Sequence, residues 1–147
     1  MRGQLVSALP ADVTEFIASA RLGRLATADG TGQPLVLPIC YAWDGEALVS
    51  AIDAKPKRAG ELKRVRNIRE NPKVSVVIDH YDEDWRRLRW VIIQGLAEIL
   101  TAGRDFAAGI DLLLSKYPQY RGMELSRDSG TMIKVRPGKV LQWRFAS

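Results

Sequence analysis

One cysteine, Cys40, and one histidine, His80, occur among the 147 residues. A single thiol excludes an intrachain disulfide framework, and the pair falls short of the ligand set of a usual zinc site, so no metal centre is expected. No apolar run approaches the roughly 18 residues of a membrane span. The first ten residues lack the charged-then-apolar pattern of a secretion signal, and the expectation is a cytoplasmic protein. Hydrolytic machinery is missing too: His80 has no serine or aspartate relay in view. Asp82, Glu83 and Asp84 are consecutive, so their carboxylates diverge, and they read as a solvated turn.

What is present is a foldable, basic chain. Hydrophobic residues make up 46% and charged residues 27%, a composition that buries a core, and the length fits one domain over residues 1–147. Twenty-two Lys and Arg against 17 Asp and Glu leave a formal charge of +5, which favours an anionic ligand over a cationic one.

Hydropathy periodicity orders the elements. Pro10 starts a short helix carrying Val13, Phe16 and Ile17 on one stripe. Residues 22–27 and 35–43 read as strands joined by the Asp29-Gly30 turn, and a second turn at Asp44-Gly45 leads to a strand over 47–52, giving an antiparallel meander. Residues 57–71 are helical in pattern and stop at Pro72. Strands follow at 74–78 and 88–100, separated by a polar loop over 80–87. A helix is expected at 103–117, and two last strands, 131–136 and 139–145, meet at a Pro137-Gly138 turn. Six or seven strands with about three helices indicate a β-rich α+β fold closed as an antiparallel barrel, because closure removes sheet edges.

Chemistry concentrates where the strand over 47–52 passes into the following helix. Ser50 at the strand end, Lys55 and Lys57 at the junction and Arg58 at the helix entry form a plausible phosphate cradle. From charge alone the same cations also read as the solvated face of an amphipathic helix, and Lys63, Arg64, Arg66 and Arg69 belong mainly to that face. Cys40 reads as a small buried hydrophobe on its strand. Trp43 and Trp143 read as core, whereas Trp85 follows the acidic turn and Trp90 lies on the strand leading to Gln94-Gly95, positions equally open to core filling and to a pocket wall. Tyr41, Tyr81, Tyr117 and Tyr120 are candidate proton donors, and nothing in the sequence selects one.

The order of the segments Arg21-Leu22-Gly23-Arg24-Leu25-Ala26-Thr27, Gln33-Pro34-Leu35-Val36-Leu37-Pro38, Lys55-Pro56-Lys57, Asn67-Ile68-Arg69-Glu70-Asn71-Pro72 and Gln94-Gly95-Leu96-Ala97 resembles the pyridoxamine 5'-phosphate oxidase-like superfamily. With the stretch Asp79 to Trp85, it is similar to an actinobacterial branch of deazaflavin-dependent proteins. The resemblance implies a split β-barrel homodimer, with a flavin-type cofactor in each cleft between subunits. It places Lys57 at the cofactor phosphate and Lys55 where a phosphate-binding arginine often sits. Ser50 falls at a hydroxyl position on the preceding strand. Leu37, Pro38 and Ile39 line the ring system, and the strand carrying Trp90 approaches from across the dimer.

The function so implied is an oxidoreductase passing hydride between coenzyme F420 and a small conjugated substrate. In such an enzyme the cofactor supplies the chemistry and the protein supplies binding and orientation. Within the resemblance F420 is preferred to FMN because of the closer, deazaflavin-dependent branch, and the basic run from Lys55 to Arg69 also suits its long anionic tail. FMN is the alternative cofactor, and a noncatalytic carrier of the cofactor or of haem is the alternative class. Nucleic acid fits poorly, since no aromatic base reader lies between Lys55 and Asn71.

Overall fold

A computed structural model describes residues 3–4, 9–52, 61–123 and 125–145. Alternation builds the sheet: in Lys73–His80, Val74, Val76 and Ile78 are buried while their neighbours are not, the period-2 signature of a strand with one face on a core. In chain order the strands are β1 (Gly3–Gln4), β2 (Gly23–Ala28), β3 (Pro34–Ile39), β4 (Ala42–Trp43), β5 (Leu48–Ile52), β6 (Lys73–His80), β7 (Arg89–Leu100) and β8 (Thr131–Arg144). The helices are α1 (Ala11–Ser19), α2 (Lys63–Glu70) and α3 (Arg104–Lys116), with short 3-10 turns at Trp85–Arg87 and Pro118–Gly122.

All pairings are antiparallel, in the order β3-β2-β6-β7-β8-β5-β4, with β1 also on β8. The two end strands, β3 and β4, are separated in the chain only by Cys40 and Tyr41. The sheet must therefore curl until its ends approach, which makes a split barrel. Its inner face packs Leu25, Val76, Ile93 and Val140 with Val13 and Ile17 of α1 and Ile68 of α2. A second cluster lies where Phe106, Ile110 and Leu113 of α3 meet Ala42, Val49 and Met132. Among the described residues no helix is long and apolar enough to cross a membrane.

Four expectations need correction. The single strand over 35–43 is two strands at opposite ends of the sheet, not part of a meander. The cause is Tyr41, whose backbone is bonded to side chains: its N–H donates to the Tyr117 hydroxyl at 3.2 Å, and its carbonyl accepts from Lys116 Nζ at 2.9 Å. Those groups cannot also join a ladder, so the chain leaves the sheet there. The two last strands are one, β8, and Pro137-Gly138 is not a hairpin turn. The register with β7 shifts between Gln94 and Gly95, opposite Pro137, and this bulge accommodates a residue with no N–H to donate. A Cβ on Gly95 would stand 2.1 Å from the Arg136 carbonyl oxygen, so glycine is required at that crossing. The second helix begins at Lys63; Glu61 and Leu62 precede it, and residues 53–60 lie outside the described residues. Finally, Cys40 is exposed on the β3–β4 link and Trp143 is 40% exposed, so neither is core, whereas Trp43 is buried with its Nε1 donating to Thr14 Oγ1 at 3.0 Å.

Candidate functional site

Ser50 sits in β5 and its hydroxyl donates to the Cys40 carbonyl at 2.8 Å. That bond crosses the split of the barrel, holding the end of β3 against the outgoing half of β5. Ile39, the last residue of β3, is thus one residue from that bond, with Pro38 and Leu37 farther back along the strand. Their side chains go different ways: Ile39 is in the core, Leu37 is partly buried, and Pro38 is exposed opposite Arg24. As β3 ends the sheet, its outer backbone groups have no strand partner and can meet a ligand ring edge-on. Two residues beyond Ser50, β5 ends at Ile52 and the chain enters the cation-rich junction. Lys55, Lys57 and Arg58 lie outside the described residues.

Farther along, the basic helix is a largely solvated surface. Lys63 lies 3.7 Å from Asp29, and Arg69 makes a two-point contact with Glu61, its Nη2 at 2.8 Å and its Nε at 2.9 Å from Oε2. Asp29 is held down at about 2, chiefly by the Thr31 hydroxyl and the backbone N–H groups of Gln33 and Thr31. On its inner side α2 buries Asn67, whose Nδ2 reaches Thr27 Oγ1 at 3.0 Å and whose Oδ1 has no partner among the described residues.

The outer face of the sheet offers a groove of about 550 Å³. Register puts Val36, Ala26, Ser75, Gln94 and Lys139 in one row across β3, β2, β6, β7 and β8. The next row is Pro38, Arg24, Val77, Ile92 and Leu141. Small side chains on the floor and Lys73 and Lys139 among the lining residues suit a flat ring with an anionic substituent.

Trp90 lies on this face between Asp79 and Trp143, and stacks on Trp143 with centroids 6.4 Å apart. Trp85 is 61% exposed on its 3-10 turn. Within this chain neither is brought to the split. Of the candidate proton donors, Tyr41 donates to the Ile17 carbonyl and Tyr117 donates to backbone carbonyls at 3.1 Å. Burial pushes both phenols up, so neither gives up a proton readily at neutral pH. Sequence reasoning missed Lys116 and Arg21, which surround this tyrosine pair. The one signal was a lysine next to a tyrosine at a helix end, which is too common to select.

A curled antiparallel sheet whose two end strands, β3 and β4, follow one another in the chain without pairing defines the split-barrel class. The sequence profile of the pyridoxamine 5'-phosphate oxidase family matches residues 9–144, and the chain belongs to that family. Over 92 residues it is 30% identical to a 5a,11a-dehydrotetracycline/5a,11a-dehydrooxytetracycline reductase of Streptomyces rimosus. That match covers 61% of this chain and 63% of the relative, less than two thirds of its length. Among solved structures, an F420 reductase is 27% identical over 90% of this chain and 98% of its own, with a TM-score of 0.64. An FAD-binding protein of Mesorhizobium loti is 26% identical over 91% and 92%, with a TM-score of 0.68. The fold is shared with a haem-binding protein of Mycobacterium smegmatis at 21% identity over 95% of this chain and 56% of that one, with a TM-score of 0.70.

Proposed function

We propose that this chain is an oxidoreductase that binds coenzyme F420, in preference to FMN, and passes hydride between it and a small conjugated substrate. The observation that carries the reading is the split held by Ser50, because it sets an unpaired strand edge beside the entry to the Lys55–Lys57–Arg58 junction. The likeness to an F420 reductase and to a tetracycline reductase supports it. When bound, the cofactor supplies the hydride chemistry. The chain's own residues bind and orient it: β3 backbone at the ring edge, and Lys57, Lys55 and Arg58 at the phosphate and anionic tail. Ser50 keeps β3 in place with its donor on Cys40, leaving only its oxygen lone pairs for a ligand.

The reading includes a homodimer. On the outer face, Val36 at 58%, Leu96 at 55% and Trp143 at 40% exposure are uncovered, whereas α3 covers the same face farther along at Val49 and Met132. A second copy laid on this face would cover those residues and bring Trp85 and Trp90 to the partner's cleft. Titration of the purified chain with F420, FMN and haem, followed by turnover of the reduced cofactor with conjugated acceptors, tests the assignment. F420 binding with acceptor-dependent oxidation is expected. Haem binding without turnover would replace it with a carrier.

A further inference from the structure

Past the Ile39 end of β3 lies a cleft of about 440 Å³ lined by Arg21, Cys40, Tyr117, Gln119, Tyr120 and Met123. Its volume lies within the roughly 300–1,000 Å³ of small-molecule sites. The walls are aromatic, with Tyr117 and Tyr120 meeting edge to face, centroids 5.7 Å apart at 81°.

The charge at this cleft is of one sign. The Arg21 guanidinium stands 4.5 Å from the centre of the Tyr117 ring and donates from Nη2 to the Lys116 carbonyl at 3.0 Å. Lys116 holds its ammonium 4.0 Å from the Tyr41 ring centre and donates to the Tyr41 carbonyl at 2.9 Å. Neither cation has a carboxylate partner among the described residues. Arg24, Lys63, Arg69, Arg86 and Lys134, by contrast, each stand against an aspartate or glutamate.

A guanidinium braced on a ring has lost little further freedom to lose, and its remaining N–H groups present a planar fork that matches a carboxylate. Aromatic and thioether surfaces beside it favour a flat apolar body. We propose that this cleft binds a small molecule joining an aromatic ring to a carboxylate, the ring against Tyr117, Tyr120 and Met123 and the carboxylate on Arg21. Lys116 contributes a second positive charge to the field that the carboxylate enters. Nothing in the proposal depends on which cofactor the chain binds.

Cys40 makes the test direct, because it is the chain's one thiol, is exposed and lines the cleft. The full chain without cofactor is alkylated with iodoacetamide, a neutral reagent, and modification of Cys40 is followed by intact mass against rising 1-naphthoate. Saturable slowing of at least about fivefold is expected, with the neutral isostere 1-naphthamide about tenfold weaker, the ratio for one charge-assisted contact. Arg21→Gln, at an exposed position, should cut the difference between acid and amide to the part that Lys116 supplies, about twofold or less, while leaving the melting temperature unchanged. Equal protection by acid and amide in the wild-type chain, or no protection by either, overturns the proposal. So does full protection by the acid in Arg21→Gln.

Discussion

Two groups of cations in this molecule look alike in composition and differ in surroundings. Along α2, Lys63 and Arg69 stand in water opposite Asp29 and Glu61. At the end of α3, Lys116 is set among Tyr41, Tyr117 and Arg21 with no carboxylate beside it. Exposed pairs contribute little because water screens them and long side chains must be ordered to form them. A cation held against rings, by contrast, is partly stripped of water and keeps its charge for another group. Lys63 and Arg69 thus have their charge met by a carboxylate, whereas that of Lys116 is left unmet among the described residues.

The largest effect that sharpens this contrast is on the aromatic side. Tyr41 is wholly buried, and Tyr41→Ala should destabilise the chain by about 3–5 kcal/mol in chemical denaturation, the range for deleting a buried aromatic side chain. If the variant keeps wild-type stability, the Tyr41 knot does not hold the β3–β4 link. Next comes Lys57→Ala, expected to weaken cofactor binding by about 1.5–3 kcal/mol in calorimetry, the value of a hydrogen bond to a charged group, with melting unchanged. Arg69→Ala should change the same affinity far less. Equal losses in the two variants would turn the phosphate cradle into a diffuse field.

A smaller effect appears in pH dependence. Burial, then the neighbouring Arg21 charge, pulls the Lys116 ammonium from its ordinary 10.5 down to about 8. Between those values the unfolded chain binds more protons than the folded one, so this lysine makes stability rise with pH through that window. Below about 8 both states are protonated and the penalty is constant. Lys116→Met should flatten the rise in denaturation midpoints taken from pH 7.5 to 10.5, and an unchanged slope would show that another group causes it. Smallest of all, Lys63→Ala should shift stability by no more than about 0.5 kcal/mol, as for other exposed substitutions.

Legibility followed the same line. Val74, Val76 and Ile78, or Val13 and Ile17, announce their elements because period-2 and helical patterns are local. The Asp29-Gly30 turn likewise reveals the β2–β3 hairpin. What sequence could not show is where local pattern yields to distant partners. Residues 35–43 are apolar throughout, and the Tyr117 hydroxyl and the Lys116 ammonium, 76 and 75 positions from Tyr41, break them into two strands. Pro137-Gly138 has turn chemistry, yet the long partner strand β7 carries the chain straight through it as a bulge. At the candidate site, Ser50 was legible as a polar residue on an apolar strand, but its bond to Cys40 was not. The cofactor-binding roles expected of Leu37, Pro38, Ile39 and Lys57 rest on the family resemblance alone, since pattern does not reach them.

The proposed function has the split of this barrel, with the cation-rich chain that leaves it, hold a deazaflavin in preference to FMN. Both ligands carry a phosphate near the ring, so preference must come from the anionic tail, and each exposed pair contributes only about 0.2–1 kcal/mol. Calorimetry of the purified chain with F420 and with FMN, at low and high ionic strength, measures this directly. The account predicts tighter F420 binding, with the gap closing as salt screens the tail contacts. Equal or tighter FMN binding under both conditions would contradict it.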